Sequence, residues 1–252
     1  MQSRTRALSG ATASEERPMA KILCVLTGAS YWTLKDGHRH PTGYWAEEFV
    51  APYRVFTGAG HEVTVATPNG VVPVVDTMSL EARMAGGEEN SLKEEAVIES
   101  ADELRHPIAL TEVRLEDYDA VYYPGGHGPM QDLSADPDSG ALLRKALASG
   151  NPLGIVCHAP AAILATRDTN GDTPFADYRL TGFCNEEEAG VGLADRAKWL
   201  LEDELKTLPT QYSRGPAWEP YTVVDRNLFT GQNPASSGPL AQELVKALAH
   251  AE

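Results

Sequence analysis

Four short runs of apolar, largely β-branched residues recur along the chain, and helical patterns separate most of them. The runs cover residues 21–26, 62–66, 120–123 and 153–156. This alternation is typical of a parallel sheet with helices on both faces. The pattern therefore predicts an α/β fold with a mostly parallel central sheet. Two further apolar pairs, at 223–224 and 228–229, predict a short C-terminal hairpin.

Helical periodicity lies between and after these runs. It predicts helices over 45–59 (with a kink at Pro52), 92–104, 159–165, 193–205 and 237–249. The polar stretch 76–107 predicts a crossover or a lid. A chain of 252 residues, 42% hydrophobic, can bury its core as one domain. We expect that domain at 19–252 and a disordered tail at 1–18, where no apolar segment or periodic pattern occurs.

Charge and cysteine content exclude several classes of function. A formal net charge of −15 repels nucleic acid and anionic membranes, so neither is expected as a partner. No apolar run approaches the roughly 18 residues of a spanning helix. Three cysteines without paired spacing indicate neither a disulfide framework nor a zinc site, and nothing near His38 and His40 completes a metal site. We expect a cytoplasmic protein that needs no metal or cofactor and acts on a small molecule.

The most informative single position is Cys157. The run 153–156 passes directly into a helical pattern at 159–165, which places Cys157 at a strand-to-helix elbow. Such an elbow exposes the side chain at the carboxyl edge of the sheet and near a helix N-terminus, which favours the thiolate. It also directs the backbone N–H of His158 towards an oxyanion formed on attack. The alternative is a buried cysteine that only packs.

A glycine-rich loop follows the neighbouring run at 120–123. Its sequence is Pro124-Gly125-Gly126-His127-Gly128, and in a parallel sheet it ends beside the first elbow. Glycines allow the backbone to approach a ligand closely. Gly125, Gly126 and His127 are therefore candidates for oxyanion and substrate binding, with the Gly126 N–H as the second oxyanion donor. The loop could equally be a simple change of direction.

The catalysis also needs a proton acceptor, for which Glu47 and Glu48 are the nearest candidates in the first predicted helix. Adjacent helical residues point about 100° apart, so one of the two can face the sheet. Two solvated glutamates near a helix N-terminus are the ordinary alternative. Trp218, in a late loop, is a candidate wall for the substrate pocket or a packed core residue.

From about residue 21 to the C-terminus the sequence resembles the ThiJ/PfpI superfamily, which is similar to class I glutamine amidotransferases. The similarity is to its branch of heat-shock-induced, glutathione-independent glyoxalases and holding chaperones. The motifs that carry it are Thr42-Gly43-Tyr44-Trp45-Ala46-Glu47-Glu48, Pro124-Gly125-Gly126-His127-Gly128, Val156-Cys157-His158-Ala159-Pro160-Ala161, Leu180-Thr181-Gly182-Phe183 and Phe229-Thr230-Gly231-Gln232-Asn233-Pro234-Ala235-Ser236.

This resemblance implies a flavodoxin-like three-layer sandwich, a homodimer and an elbow cysteine with a depressed pKa. It places the family's glutamate on Glu48, and it places the acidic partner of His158 on Glu188, with Glu186 and Glu187 as neighbouring candidates. Ala159 stands where many relatives have glycine. Cys184 lies in a variable stretch and is expected to pack.

The implied activity is conversion of methylglyoxal or a related 2-oxoaldehyde to a 2-hydroxy acid, with catalytic residues Cys157, Glu48, His158 and Glu188. A protein deglycase or a cysteine peptidase would use the same residues. A holding chaperone or redox sensor with little turnover is an alternative from another class. A glutamine amidotransferase is disfavoured, because His250 is the only histidine beyond His158 and no downstream His-x-Glu pair is present.

Overall fold

A computed structural model describes residues 19–250, so the predicted tail at 1–18 lies outside the described residues. Its strands are β1 Lys21–Val25, β2 Tyr31–Thr33, β3 Arg39–Pro41, β4 Glu62–Thr67, β5 Ile108–Ala109, β6 Ala120–Tyr123, β7 Leu153–Val156, β8 Arg179–Leu180, β9 Gln211–Tyr212, β10 Thr222–Asp225 and β11 Leu228–Gly231. Its α-helices are α1 Ala46–Gly58, α2 Glu88–Ser100, α3 Asp102–Arg105, α4 Gly128–Gln131, α5 Pro137–Ser149, α6 Asn185–Gly190, α7 Leu201–Thr207 and α8 Ser237–Leu248.

Across residues 19–250, seven strands form the central sheet, in the order β10-β11-β7-β6-β1-β4-β5. Every neighbouring pair is parallel except the hairpin of β10 and β11. Strands β1, β6 and β7 lie at the centre, and almost all of their side chains are buried, as expected for a parallel sheet covered on both faces. The predicted α/β, flavodoxin-like fold with a C-terminal hairpin is confirmed.

Helices cover the sheet through close packing at small residues. Helix α1 packs against α8, and a Cβ added to Gly154 of β7 would lie 2.6 Å from Leu244 of α8. Helix α5 packs against the segment that follows Cys157, where a Cβ on Gly140 would lie 2.2 Å from the Ala165 carbonyl. The sandwich thus brings the carboxyl ends of β6 and β7 beside the N-terminal end of α1.

Two helix predictions needed correction. The predicted helix at 193–205 is wrong, because only its last part, within α7, is helical, and turns occupy residues 191–199. Gly192 has a left-handed backbone conformation, with φ +78°, which prevents α6 from continuing into this segment. The segment after Cys157 is helical as predicted, but it is a 3₁₀-helix, Ala159–Thr166. Helix α1 continues through Pro52, and the predicted kink there stays a prediction.

The segment 76–107 holds a 3₁₀ turn, α2 and α3 before the chain enters β5. It therefore crosses from β4 to β5 as a largely helical excursion, and its role as a lid stays a prediction. Within residues 19–250, no helix combines the length and apolar character required to cross a membrane.

Candidate functional site

Cys157 sits at the sharp turn that ends β7. Its φ is +59°, a left-handed conformation that is unusual for a residue with a side chain. Two backbone hydrogen bonds hold the turn: the Cys157 N–H donates to the Gly231 carbonyl at 2.9 Å, and the Phe183 N–H donates to the Cys157 carbonyl at 2.8 Å. The side chain is 3% exposed. The sulfur is thereby fixed at the carboxyl edge of the sheet, in a geometry typical of nucleophile elbows.

Glu48 reaches the same edge from the first turn of α1. Its side chain is fully buried, and Oε2 accepts a 2.6 Å hydrogen bond from the Gly125 N–H. The Glu48 carbonyl accepts from the Tyr122 hydroxyl at 2.9 Å, which ties this turn of α1 to β6. Glu47, by contrast, is half-buried. Burial and, after it, repulsion from the Glu47 carboxylate raise the pKa of Glu94 in α2. Of the two candidates, Glu48 is the one that faces Cys157.

The glycine loop after β6 requires glycine at two positions. A Cβ on Gly125 would lie 2.7 Å from the His158 nitrogen and 2.9 Å from Glu48 Oε2. Gly126 has φ +83°, and its added Cβ would lie 2.5 Å from the Gly43 carbonyl oxygen. The Gly126 N–H interacts with the Cys157 sulfur and favours its thiolate form. The loop therefore directs a backbone donor towards the place where an oxyanion would form.

Two imidazoles beside the sulfur share one carboxylate. His158 Nδ1 lies 3.3 Å from the Cys157 sulfur, and His158 Nε2 lies 2.7 Å from Glu188 Oε2. His127 Nε2 lies 2.8 Å from Glu188 Oε1, and its ring stacks on Trp32 at 5.0 Å between centroids. All three polar side chains are buried. The result is a continuous chain of contacts from sulfur to imidazole to carboxylate.

The charges and burial of these groups determine which of them carries a proton. The nearby imidazoles of His127 and His158 hold the pKa of Glu188 well below its usual range, in spite of its burial. Burial, together with neighbouring His127, lowers the pKa of His158. A neutral His158 beside an ionised Glu188 carries its proton on Nε2, where it donates to the carboxylate. Its Nδ1 is then left as an acceptor facing the thiol.

The depressed pKa expected for Cys157 is not found. Burial, followed by the neighbouring Glu48 carboxyl, raises the pKa of the thiol well above its ordinary value, against the opposing effect of the Gly126 N–H. Burial also raises the pKa of Glu48 to about 8, with smaller lowering effects from the Cys157 thiol and the Gly125 N–H. Two acids so close in a dry site resist joint ionisation. Removal of the thiol proton therefore needs an acceptor such as His158.

The three consecutive glutamates of α6 have three different environments. Glu186 is exposed and pairs with Arg214. Glu188 faces the histidines. Glu187 is fully buried, and its carboxylate accepts from the backbone N–H of Cys184 and of Trp218 and from the side chains of Gln232 and Asn233, at 2.8–3.0 Å. Sequence reasoning gave Glu187 no role of its own, because all of its donors except Cys184 lie far along the chain, at Trp218, Gln232 and Asn233.

A small cavity of about 20 Å³ lies against Cys157. Its lining is mainly apolar apart from the reacting groups and consists of Trp45, Met84, Gly126, His127, Cys157, His158, Phe183, Val191, Trp218 and Pro234. Trp218, 44% exposed and with φ +66°, is at the mouth, as the sequence suggested for a pocket wall. Met84, from the 76–107 segment, was not foreseen, since no motif surrounds it.

Within residues 19–250, one group of side chains has the donor atoms for a metal ion: His127, His158 and Glu188, whose ligand atoms lie within 4.8 Å of one another. His38 and His40 are not part of it. The nitrogen–oxygen distances of 2.7 and 2.8 Å in the group are those of charge-assisted hydrogen bonds. The arrangement thus serves to orient His158 and His127.

The sequence is similar to known proteins over most of its length. The model of the DJ-1/PfpI family matches residues 42–247. Glyoxalase 3 of Candida albicans is 26% identical over 91% of this chain and 98% of its own length. The glutathione-independent glyoxalase HSP31 of Saccharomyces cerevisiae is 28% identical over 90% of this chain and 98% of its own.

A bacterial relative carries a different name. The protein/nucleic acid deglycase HchA of Staphylococcus aureus is 28% identical over 92% of this chain and 80% of its own length. Among solved structures, glyoxalase III of Candida albicans superposes with a TM-score of 0.78 at 25% identity, over 91% of this chain and 97% of that one. The fold is therefore shared with this glyoxalase III over nearly the whole length of both chains.

Proposed function

Because the chain belongs to the DJ-1/PfpI family, we propose that it is a glutathione-independent glyoxalase that converts methylglyoxal or a related 2-oxoaldehyde to the 2-hydroxy acid. The observation that carries the proposal is the Cys157 thiol, which contacts both the Glu48 carboxyl and His158 Nδ1. Cys157 and His158 line one apolar cavity. The names of the fungal relatives support the same reaction.

The first step joins Cys157 to the aldehyde. The thiol gives its proton to His158 Nδ1, and the sulfur forms a bond with the aldehyde carbon. The new imidazolium is stabilised by the ionised Glu188. The aldehyde oxygen, now negative, is held by the N–H groups of Gly126 and His158 and takes a proton from Glu48, whose raised pKa keeps it protonated at neutral pH. A hemithioacetal results, with Glu48 ionised.

The second step moves hydrogen between the two substrate carbons. Ionised Glu48 removes the proton from the former aldehyde carbon, and the electron pair forms an enediolate whose oxygen takes a proton from the His158 imidazolium. Glu48 returns its proton to the adjacent carbon, while the hydroxyl of the first carbon gives its proton back to His158. The product is a thioester of the 2-hydroxy acid. In the hydrolysis, ionised Glu48 takes a proton from the water that adds to the thioester carbon, and the leaving sulfur takes a proton from the His158 imidazolium. The hydroxy acid leaves, the Cys157 thiol, the Glu48 carboxyl and neutral His158 are restored, and no electrons leave the substrate.

Product analysis tests this function. Purified protein is incubated with methylglyoxal in amine-free buffer that contains EDTA and lacks glutathione, and lactate is measured against methylglyoxal consumed. We expect one lactate for each methylglyoxal. Consumption without lactate would contradict the proposal and would favour simple adduct formation on surface residues.

A deglycase is the second candidate, favoured by the name of the Staphylococcus aureus relative. It would use the same Cys157 and Glu48 on an adduct of an aldehyde with a thiol or an amine. Rates on free methylglyoxal and on a preformed glycated peptide separate the two. A faster rate on the peptide, after correction for free methylglyoxal in equilibrium with it, would favour the deglycase.

The proposal includes a cytoplasmic homodimer without nucleic-acid or membrane partners. The net charge of −15 supports the exclusion of anionic partners, and the family resemblance supports the dimer. Light scattering after size-exclusion chromatography measures the mass in solution. A monomer of 27.2 kDa at micromolar concentration would contradict the dimer.

A further inference from the structure

Two cavities meet at the mouth of the site. The inner one, about 20 Å³, is lined by Cys157 and both histidines. The outer recess, about 420 Å³, is lined by Met78, Arg83, Met84, Gly190, Val191 and Trp218 and does not include Cys157 or either histidine. Three side chains line both: Met84, Val191 and Trp218. These three therefore form the partition between a narrow reacting chamber and a space about twenty times as large.

The Trp218 side of the partition is held firmly. The Trp218 N–H donates to the buried Glu187 carboxylate at 2.8 Å, which fixes its left-handed backbone. Its indole lies over Gly190, where an added Cβ would be 3.0 Å from the ring, and edge-on to Phe183 at 5.7 Å between centroids. Bulky residues adopt positive φ only where the surroundings impose it. The indole is thus a fixed wall.

The Met84 side of the partition comes from the 76–107 segment. The Met84 N–H donates to the Glu81 carbonyl at 2.7 Å, which closes a turn ahead of α2. Its side chain is half-buried and lines both cavities, whereas Met78, also half-buried, lines the outer recess alone. Methionine is unbranched and adapts its shape to its neighbours. Met84 can therefore be truncated without altering the frame that holds Cys157, Glu48 and His158.

We propose that Met84 and Trp218 set the size limit for the substituent of the 2-oxoaldehyde. Once the aldehyde carbon is on the sulfur and its oxygen lies at the Gly126 N–H, the substituent must fit in what remains of the inner cavity. A hydrogen or a methyl group fits there, and a phenyl ring has to pass the partition into the outer recess. The inference rests on the proposed function and names which members of the substrate class the site accepts.

The charge of the lining adds to this selection. In the part of the chain that the structure describes, the inner cavity is lined by apolar side chains apart from Cys157 and the two histidines. A substituent with a carboxylate or ammonium group would lose its hydration there without a partner. The accepted substrates are therefore small, neutral 2-oxoaldehydes.

The test compares methylglyoxal with phenylglyoxal on the wild type, Met84→Ala and, as matched control, Met78→Ala. We expect the wild type to favour methylglyoxal in kcat/KM. Met84→Ala should raise the phenylglyoxal-to-methylglyoxal ratio by about tenfold or more, since loss of a hydrophobic wall is worth at least that much in discrimination. Met78→Ala should leave the ratio within about twofold of the wild type. Circular dichroism and thermal melting check that each variant is folded.

Different results would overturn the size limit set by Met84 and Trp218 and the proposed glyoxalase activity. Lactate formation with an unchanged ratio in Met84→Ala would overturn the inference and leave the proposed function intact. An equal change in Met78→Ala, or a wild type that prefers phenylglyoxal, would also overturn it. Absence of hydroxy acid from both aldehydes would instead overturn the proposed function. If Met84→Ala fails to fold, Met84→Leu, which keeps volume but adds branching, and Trp218→Phe supply the comparison.

Discussion

His158 and Glu188 are joined by a 2.7 Å contact between Nε2 and Oε2, and both side chains are buried. Thirty positions separate them in sequence, and α6 brings the carboxylate back to the elbow. Because Glu188 is held ionised and His158 neutral, the contact fixes which ring nitrogen carries the proton. The free nitrogen then faces the Cys157 sulfur, so an acceptor atom lies beside a thiol whose pKa is raised by burial.

Glu188→Gln tests this contact. The amide cannot stabilise the imidazolium that forms when the thiol loses its proton, and it no longer fixes the tautomer of His158. We expect kcat to fall by about 10²–10⁴-fold, the range for loss of positioned acid–base catalysis. Glu186→Gln, two residues earlier and exposed, is the control and should retain activity. Equal losses in the two variants would argue against a specific role for Glu188.

Glu48→Gln tests the proton shuttle. The amide can still accept from the Gly125 N–H, but it can neither donate to the aldehyde oxygen nor remove the carbon-bound proton. Turnover should fall by about 10²–10⁴-fold. Glu47→Gln, on the adjacent position of α1 and half-buried, should change turnover little. If Glu47→Gln proved the more damaging substitution, the assignment of the base would be wrong.

The buried Glu48 carboxyl should make stability depend on pH. Its pKa is about 8 in the folded protein and near 4.5 when unfolded. The folded state therefore binds this proton more tightly, and the associated stability is complete below about pH 4.5 and is lost as pH rises through about 8. Urea unfolding at pH 5 and pH 9 measures it. Glu48→Gln should gain stability relative to the wild type at pH 9, and a constant difference at both pH values would contradict the raised pKa.

Gly125→Ala tests the close approach of the loop to the elbow. The new methyl group would lie 2.7 Å from the His158 nitrogen and 2.9 Å from Glu48 Oε2. We expect a loss of about 1–3 kcal/mol in the free energy of unfolding and a marked loss of turnover. Gly238→Ala in α8, where nothing lies within 4 Å, is the control and should be neutral or slightly stabilising. A fully active Gly125→Ala enzyme would exclude a tight oxyanion pocket.

The local sequence pattern was sufficient to predict the strands of the sheet and the position of much of the candidate site. The four apolar runs became β1, β4, β6 and β7, because most of their side chains are buried in the parallel sheet. The elbow could be placed because strand and helix patterns meet at one residue. The family resemblance of the motifs is confirmed by the match to the DJ-1/PfpI family.

The sequence pattern did not predict features that depend on contacts between residues distant in sequence. Leu193, Ala197, Leu201 and Leu205 have helical spacing and are all buried, but they pack from turns and from α7, with Gly192 in a left-handed conformation between α6 and these residues. Helix α6 is short and polar and shows no periodicity. The roles of Glu187 and Met84 depend on neighbours distant in sequence. The pKa of Cys157 depends on such neighbours too, because burial and the Glu48 carboxyl raise it and the position at a strand-to-helix elbow does not offset them.

Lactate formation from methylglyoxal by Cys157→Ala, beside the wild type and Cys184→Ala, shows whether Cys157 is the nucleophile. Cys184 is also a free, buried cysteine and serves as the matched control. We expect turnover by the wild type and by Cys184→Ala, and none above the uncatalysed rate by a folded Cys157→Ala. Lactate formation by Cys157→Ala at the wild-type rate would contradict this role of Cys157.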